Sequence, residues 1–142
     1  AIKDNCTSIK QTLRSVQHVD SRTRVYLGQI YQIVLVNYMT PLNLRLVKNN
    51  QPNASLATLQ TNFTSARDEA AQKFITYSQS LEELLLVDCS KDPEKFYNTL
   101  TTTRQKRSEL SAATTKVSKI LNDHVATVTK IKDNYAKPTE TN

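Results

Sequence analysis

The sequence predicts an all-α protein: an elongated, antiparallel, coiled-coil-like bundle of three helices in up-down-up order. Three observations predict it. One glycine and four prolines in 142 residues leave few places where the chain can be punctuated. Apolar residues recur at steps of three and four over three long runs. Two short polar segments separate those runs, as between neighbouring bundle helices.

The first run spans about 5–48. Asp4 or Asn5 is placed to cap it by accepting a bond from the free N–H groups of the first turn. Ile9, Leu13, Val16, Thr23, Leu27, Ile30 and Val34 form its stripe, with Asp20 as the polar interruption. Gly28 costs about 1 kcal/mol relative to alanine in mid-helix; it either lets another helix approach closely or is a tolerated defect. Pro41 is expected to kink or break the run, or to open a fresh helix after Thr40. Beyond it Leu42, Leu44 and Leu46 alternate with Asn43 and Arg45. That is a period of two, so helix over 41–50 is left open. Asn49-Asn50-Gln51-Pro52-Asn53 reads as a loop.

The second run spans about 54–87, with Ser55 as its cap. Leu56, Leu59, Phe63, Ala66, Ala70, Phe74, Tyr77, Leu81 and Leu84 share one stripe. Asp88-Cys89-Ser90-Lys91-Asp92 reads as a tight turn. The third run spans about 93–135, and Asp92-Pro93-Glu94 supplies a cap, a proline in the first turn and an acid near the positive helix end. From Phe96 through Leu100, Thr103, Arg107, Leu110, Thr114, Val117, Leu121, His124, Val128 and Ile131 to Tyr135, steps of four and three alternate without a skip. This is a coiled-coil seam about 60 Å long. Its polar members weaken it and suit the setting of register. The predicted domain is 1–136, followed by a polar tail over 137–142.

The only cysteines, Cys6 and Cys89, fall at helix ends. Up-down-up order brings them to one end of the bundle, where a disulfide is expected; the alternative is two free thiols in a reducing compartment. A bridge there would close a long loop, worth roughly 4–5 kcal/mol on the chain-entropy model, and would imply an extracytoplasmic protein, secreted or bound to the envelope.

Composition excludes several chemistries. A single glycine rules out a phosphate-cradling loop and a nucleophile elbow. His18 and His124 lack a metal-binding or triad context, and no ligand cluster surrounds either cysteine, so no metal site and no cofactor are expected. Asp68-Glu69 and Glu82-Glu83 are adjacent on a helix and point about 100° apart, so neither is a shared acid–base pair. The protein is expected not to be an enzyme.

The formal charge is +6 and unevenly spread. Residues 1–50 carry seven basic and two acidic side chains, residues 51–90 two and five, residues 91–142 ten and six. An acidic middle helix between basic neighbours suits internal pairing plus a solvated face. The sharper reading is a basic surface for an anionic polymer or lipid. Basic residues are not interleaved with aromatics, so no nucleic-acid partner is expected. Asn5-Cys6-Thr7, Asn53-Ala54-Ser55 and Asn62-Phe63-Thr64 match the glycosylation pattern, as chance allows in a chain rich in Asn and Thr. No segment approaches the ~18 apolar residues of a membrane span. The first residues read as a trimmed N-terminus, and 137–142 as a linker toward an anchor that would bring the protein near a membrane.

Two segments are candidate contact surfaces. One places Arg22, Arg24 and Tyr26 within Asp20–Tyr26; the other places Leu42, Leu44, Arg45, Leu46 and Lys48 near the far tip. The stretches from Asp20 to Gly28 and from Thr40 to Asn50, with Cys6 and Asp88-Cys89, resemble a lineage-restricted family of exported proteins of unassigned function from Saccharibacteria, small-genome bacteria that live attached to other bacteria. The likeness runs from about Asn5 to His124. It implies a cell-envelope or secreted protein with no catalytic residues to carry over, it makes the glycosylation patterns coincidental, and it suggests a role at the envelope or in contact with the host cell.

The expected function is that of a non-enzymatic interaction module of the envelope, binding a protein or an anionic polymer. The alternatives are a scaffold that self-associates through the seam of the third run, leaving the oligomeric state open, and a carrier for a lipid or small ligand.

Overall fold

The computed structural model describes the backbone of residues 2–136 and their side chains from Asp4 onward. The expected tail over 137–142 lies outside the described residues. Among those described, all regular structure is helical. The first rod consists of α1 (Ile2–Ile33), a π-helical segment (Val34–Met39) and α2 (Thr40–Lys48), joined without a non-helical residue between them. It is followed by α3 (Ala54–Leu86) and α4 (Pro93–Ala136). The rods pack as a helical bundle, and a disulfide joins Cys6 to Cys89 with their Cα atoms 5.8 Å apart.

The helix ends follow local chemistry, with two corrections. Helix has already begun at Ile2, so Asp4 and Asn5 lie within α1 and do not cap it. The cap of α3 is Asn53, not Ser55: its backbone is extended and its side-chain oxygen accepts the Leu56 N–H at 3.0 Å. Asp92 caps α4 as expected, accepting the Lys95 N–H at 3.1 Å ahead of Pro93. Asn50 takes the left-handed conformation at φ 55°. That lets Gln51 N–H reach Leu46 O at 2.8 Å and Asn50 N–H reach Val47 O at 3.1 Å, closing α2 with a Schellman motif. In the second connection the Asp88 carboxylate accepts the Ser90 N–H at 3.0 Å and the Ser90 hydroxyl at 2.6 Å, which holds it below the ordinary carboxylate range.

The helix continues past Pro41. Proline has no N–H to give, and its ring crowds the carbonyl four residues back. The turn just ahead of it is widened: Thr40 N–H donates to Leu35 O, five residues earlier. Residues 40–48 are helical, with Leu42 and Leu46 half-buried and Leu44 exposed. The alternating leucines therefore occupy different faces of a helix.

The stripes of α3 and α4 meet closely. Leu56, Phe63, Ala66, Ala70, Tyr77, Leu81 and Leu84 of α3 are buried, as are Phe96, Thr103, Ala113, Val117 and His124 of α4. Ser80 and Thr103 place their hydroxyls 2.7 Å apart within this seam, which satisfies two polar groups that burial would otherwise penalise. Lys73 bonds Glu109 and Lys116 bonds Glu69, each at 2.8 Å, along the rim.

The first rod is held differently. Tyr31 and Met39 are its only buried residues among those described. The expected α1 stripe is half-covered at Leu13, Val16, Leu27, Ile30 and Val34, and exposed at Ile9 and Thr23. Tyr31 meets Phe63 edge-on at 5.9 Å between centroids, and Gln60 donates to the Thr40 hydroxyl at 2.9 Å while accepting from Asn43. The backbones of α1 and α4 stay more than 8 Å apart throughout the described residues. So α3 lies between two neighbours that do not close on each other. The core divides accordingly. One cluster gathers Tyr31, Met39, Phe63, Ala66, Ala70, Ala113 and Val117; the other gathers Tyr77, Leu81, Leu84, Val87, Cys89 and Phe96 beside the disulfide.

Candidate functional site

Where α1 stands off from α4, a cleft of about 1280 Å³ opens over α3. Tyr31 and Ala70 of the first cluster line it, together with Phe74 and Leu110, which pack against the second. Leu27 and Ala71 complete an apolar floor. Gly28 faces this space: a Cβ built there meets nothing within 4 Å. The glycine therefore serves no close helix approach. One face of α1 borders the cleft from Asp20 to Ile33, and thirteen steps of helix make it about 20 Å long.

One polar node ties all three rods together at this cleft. The Asp20 carboxylate of α1 accepts Arg107 Nε at 2.9 Å and Arg107 Nη2 at 3.0 Å from α4. It also accepts the Tyr77 hydroxyl of α3 at 2.6 Å. The two-pronged guanidinium geometry is the strong form of such a pair. Burial raises the Asp20 pKa, but the bonds from Arg107 and Tyr77 outweigh it and hold the carboxylate below its ordinary value. Burial and the same carboxylate push the Tyr77 phenol up, and the bond to Asp20 raises Arg107. At neutral pH the node is a locked ion pair with a neutral phenol, which suits holding rather than proton transfer.

Further arginines line the cleft. Arg24 sits over the Phe74 ring, its guanidinium carbon 4.9 Å from the centroid. Arg67 donates to Gln32 at 3.2 Å and to neighbouring Asp68. Arg104 lines the cleft with no acidic partner among the described residues. Four guanidiniums thus border a largely apolar space.

The two expected contact segments are not brought together. Arg24 and Leu42 are eighteen residues apart on one helical rod, roughly 27 Å. Within the first segment the side chains diverge: Arg24 borders the cleft over Phe74, Tyr26 is 63% exposed, and Arg22 is exposed without lining the cleft. Within the second, Leu42 and Leu46 turn inward while Leu44, Arg45 and Lys48 face solvent. Of the proposed contact residues only Arg24 joins the cleft. Cys6 and Cys89 act at the bundle end as a staple.

The sequence reading missed the cleft and the roles of Phe74, Arg67 and Arg104. A signal was present for the node: Asp20 and Arg107 were each an ionised residue on an otherwise inward stripe. Among the described residues no group of three or more His, Cys, Asp or Glu side chains could hold a metal ion, and no helix is long and apolar enough to cross a membrane. Comparison with protein-family models, curated proteins and solved structures finds no match for this chain.

Proposed function

We propose that this protein is a non-enzymatic binding module that takes an elongated apolar molecule into the cleft between α1 and α4. The observation that carries the reading is the cleft itself. Its apolar floor lies where the first rod leaves both neighbours underpacked, and its volume exceeds the roughly 300–1,000 Å³ usual for small-molecule pockets. A helix pair as closely packed as α3 and α4 provides a rigid wall, and a loosely held α1 provides a movable one.

In this reading the three rods run up-down-up, and the first bends at the widened turn ahead of Pro41. The order is supported by cross-rod pairs: Cys6–Cys89, Asp20–Tyr77 and Tyr31–Phe63 climb one rod while descending α3. Lys73–Glu109 and Glu69–Lys116 do the same between α3 and α4. The disulfide favours an oxidising compartment and hence an extracytoplasmic location, which the resemblance to exported Saccharibacteria proteins also suggests.

The test is binding of the neutral apolar dye N-phenylnaphthylamine. Saturable fluorescence enhancement at one site per chain is expected. Gly28→Leu combined with Ala71→Leu, which narrows the middle of the cleft, should weaken it severalfold while circular dichroism still reports full helicity. Absence of saturable binding, or equal binding by the narrowed variant, overturns the reading.

A second reading, a protein-contact surface on the first rod, is favoured by exposed Val36, Tyr38, Leu44 and Val47 around the π-helical turn and α2. Arg45 and Lys48 would border it. Alanine substitution of Leu44 and Arg45 should weaken a partner found by cross-linking and leave dye binding unchanged.

A further inference from the structure

We infer that the cleft is the empty corner of a four-helix bundle and takes an acidic amphipathic helix of another protein. The apolar face of that helix lies on the floor between Leu27 and Leu110, and its carboxylates meet Arg104, Arg24 and Arg67 in turn. The inference rests on the cleft being a binding site and names what occupies it.

The heights of the arginines along the bundle decide against a ligand with one head group. Asp20 bonds both Arg107 and Tyr77, which puts these three residues at one level. With α1 and α4 running the same way, as the cross-rod pairs support, Arg24 stands four residues to one side of that level and Arg104 three residues to the other. Arg67 stands ten residues from Tyr77 on the antiparallel α3, on the same side as Arg24. There it reaches Gln32, twelve residues along α1 from Asp20. At ~1.5 Å per residue the three arginines lie at about −5, +6 and +15 Å along the axis, roughly 10 Å apart. A single carboxylate or phosphate meets one of them. Positions seven apart on an α-helix are also separated by about 10 Å. A helix with acids in a heptad pattern therefore presents carboxylates at the matching interval.

The arginines also sit on the flanks where such acids belong. Arg24 lines the cleft from α1, and the bond to Gln32 draws Arg67 to that side; Arg104 lines it from α4. In a coiled coil the positions beside the apolar seam face the flanking helices, and their charges set partner choice. Arg24 and Arg104 have no acidic partner among the described residues. Arg67 pairs with its exposed neighbour Asp68, an arrangement worth little in water. Asp20 is taken by Arg107, so the cleft presents positive charge. A chain of net charge +6 repels its own copies, which favours a different, acidic partner.

The corner has the shape for a helix. Both α1 and α4 pack on α3, while their own backbones stay more than 8 Å apart, as helices do across the diagonal of a four-helix bundle. Gly28, Ala70 and Ala71 leave room for large side chains, and Leu27, Phe74 and Leu110 supply apolar contact. The length of about 20 Å holds two heptads. A hydrocarbon chain covers the floor and leaves most of the arginines unused. An acidic polymer without an apolar face meets the arginines and leaves the floor bare. An acidic amphipathic helix answers both.

The experiment titrates the full chain into a fluorescein-labelled peptide of three heptads, with leucine at a and d and glutamate at e and g. Like charge at e and g keeps the peptide from pairing with itself. Saturable one-to-one binding in fluorescence anisotropy is expected, with displacement of bound N-phenylnaphthylamine. Glutamine at e and g should weaken binding about tenfold, the sum of a few exposed charge pairs. The advantage of glutamate should shrink as salt rises. Moving the glutamates to b and f, with composition unchanged, should weaken binding as much. In Arg24→Gln with Arg67→Gln and Arg104→Gln the glutamate-to-glutamine ratio should collapse toward one. Lys95→Gln with Lys130→Gln and Lys132→Gln, an equal charge change away from the cleft, should keep it, with helicity by circular dichroism equal in the two variants. Polyglutamate should not displace the peptide. Equal binding of the glutamate and glutamine peptides, a ratio that survives loss of the three arginines, or displacement by polyglutamate overturns the inference. Bound dye that the peptide does not displace also overturns it, and leaves the cleft a site for small apolar molecules. Peptide that binds where the dye does not upholds the helix and overturns small-molecule binding. A chain that sediments as a dimer and excludes the peptide overturns the inference in favour of a second copy.

Discussion

The α3–α4 pair and the α1 rod have comparable lengths and periodic stripes, yet they are held by different physics. Along α3–α4, apolar side chains interdigitate from Leu56 to Leu84 and from Phe96 to Val117. Along the first rod the packing is partial, with Leu13, Leu27, Ile30, Val34 and Leu35 lying half-buried against the two core clusters, and discrete ties supplement it: the Cys6–Cys89 bridge, the Asp20 node and the Tyr31–Phe63 contact. Continuous packing gives a rigid wall. Partial packing leaves fewer contacts to resist opening between the anchors at Asp20 and Tyr31, where the cleft lies. The difference shows that a helix can be strongly formed and still weakly docked, since its internal hydrogen bonds do not depend on burial.

The largest effect should come from removing the staple. Cys6→Ser with Cys89→Ser opens a link between positions 83 residues apart and should cost about 4–5 kcal/mol by loop entropy. The loss should be local. Hydrogen exchange should show the amides of α1 up to Asp20 losing protection first, with those of α3 and α4 slower. Uniform loss across all three rods would mean that the two regions form one cooperative unit.

Next come paired truncations of the same residue type. Leu81→Ala, in the packed region and 2% exposed, should cost about 3 kcal/mol in urea unfolding because it leaves a closed cavity. Leu27→Ala borders space that is already open and should cost about 1 kcal/mol, the lost transfer energy alone. Equal costs would erase the distinction between wall and rod.

How much of this was legible in the sequence depends on range. The helices were, because periodicity and the scarcity of glycine act locally. Asn53 was misread in favour of Ser55 because both are good caps within two residues of each other. The disulfide was legible because topology limited where two cysteines could lie. The Asp20 node was not: Tyr77 is 57 residues away and Arg107 is 87 away, and many other pairings of inward polar residues were equally open. The cleft was least legible of all. It is an absence of packing between α1 and α4, set by how closely three rods approach rather than by any stripe.

The packed region also carries a titratable group of its own. His124 is buried on the α4 seam, its Nε2 has no partner, and burial lowers its pKa below the ordinary 6.5. The unfolded chain therefore binds the proton at higher pH than the folded chain does. Stability should be flat above pH 6.5 and fall below it, by at most about 1.4 kcal/mol per pH unit, until the lowered folded-state value is reached. His124→Leu should flatten the slope in that window. A slope that persists in the variant would place its source elsewhere.

The smallest effect tests the rod at its least supported point. A glycine kept for close packing would lose stability on gaining a methyl group, as the new atom would push the neighbouring helix away. At Gly28 a Cβ meets nothing within 4 Å and the backbone is ordinary helix, with no positive φ. Alanine should therefore act only through the backbone, restricting the unfolded chain and favouring the helix by about 0.5–1 kcal/mol. The gain should appear as a higher urea midpoint with an unchanged slope, because no surface packed in the folded state is altered. A loss instead would mean that α1 closes onto its neighbours in solution at this point, so that the cleft is shut when empty and opens only for what it binds.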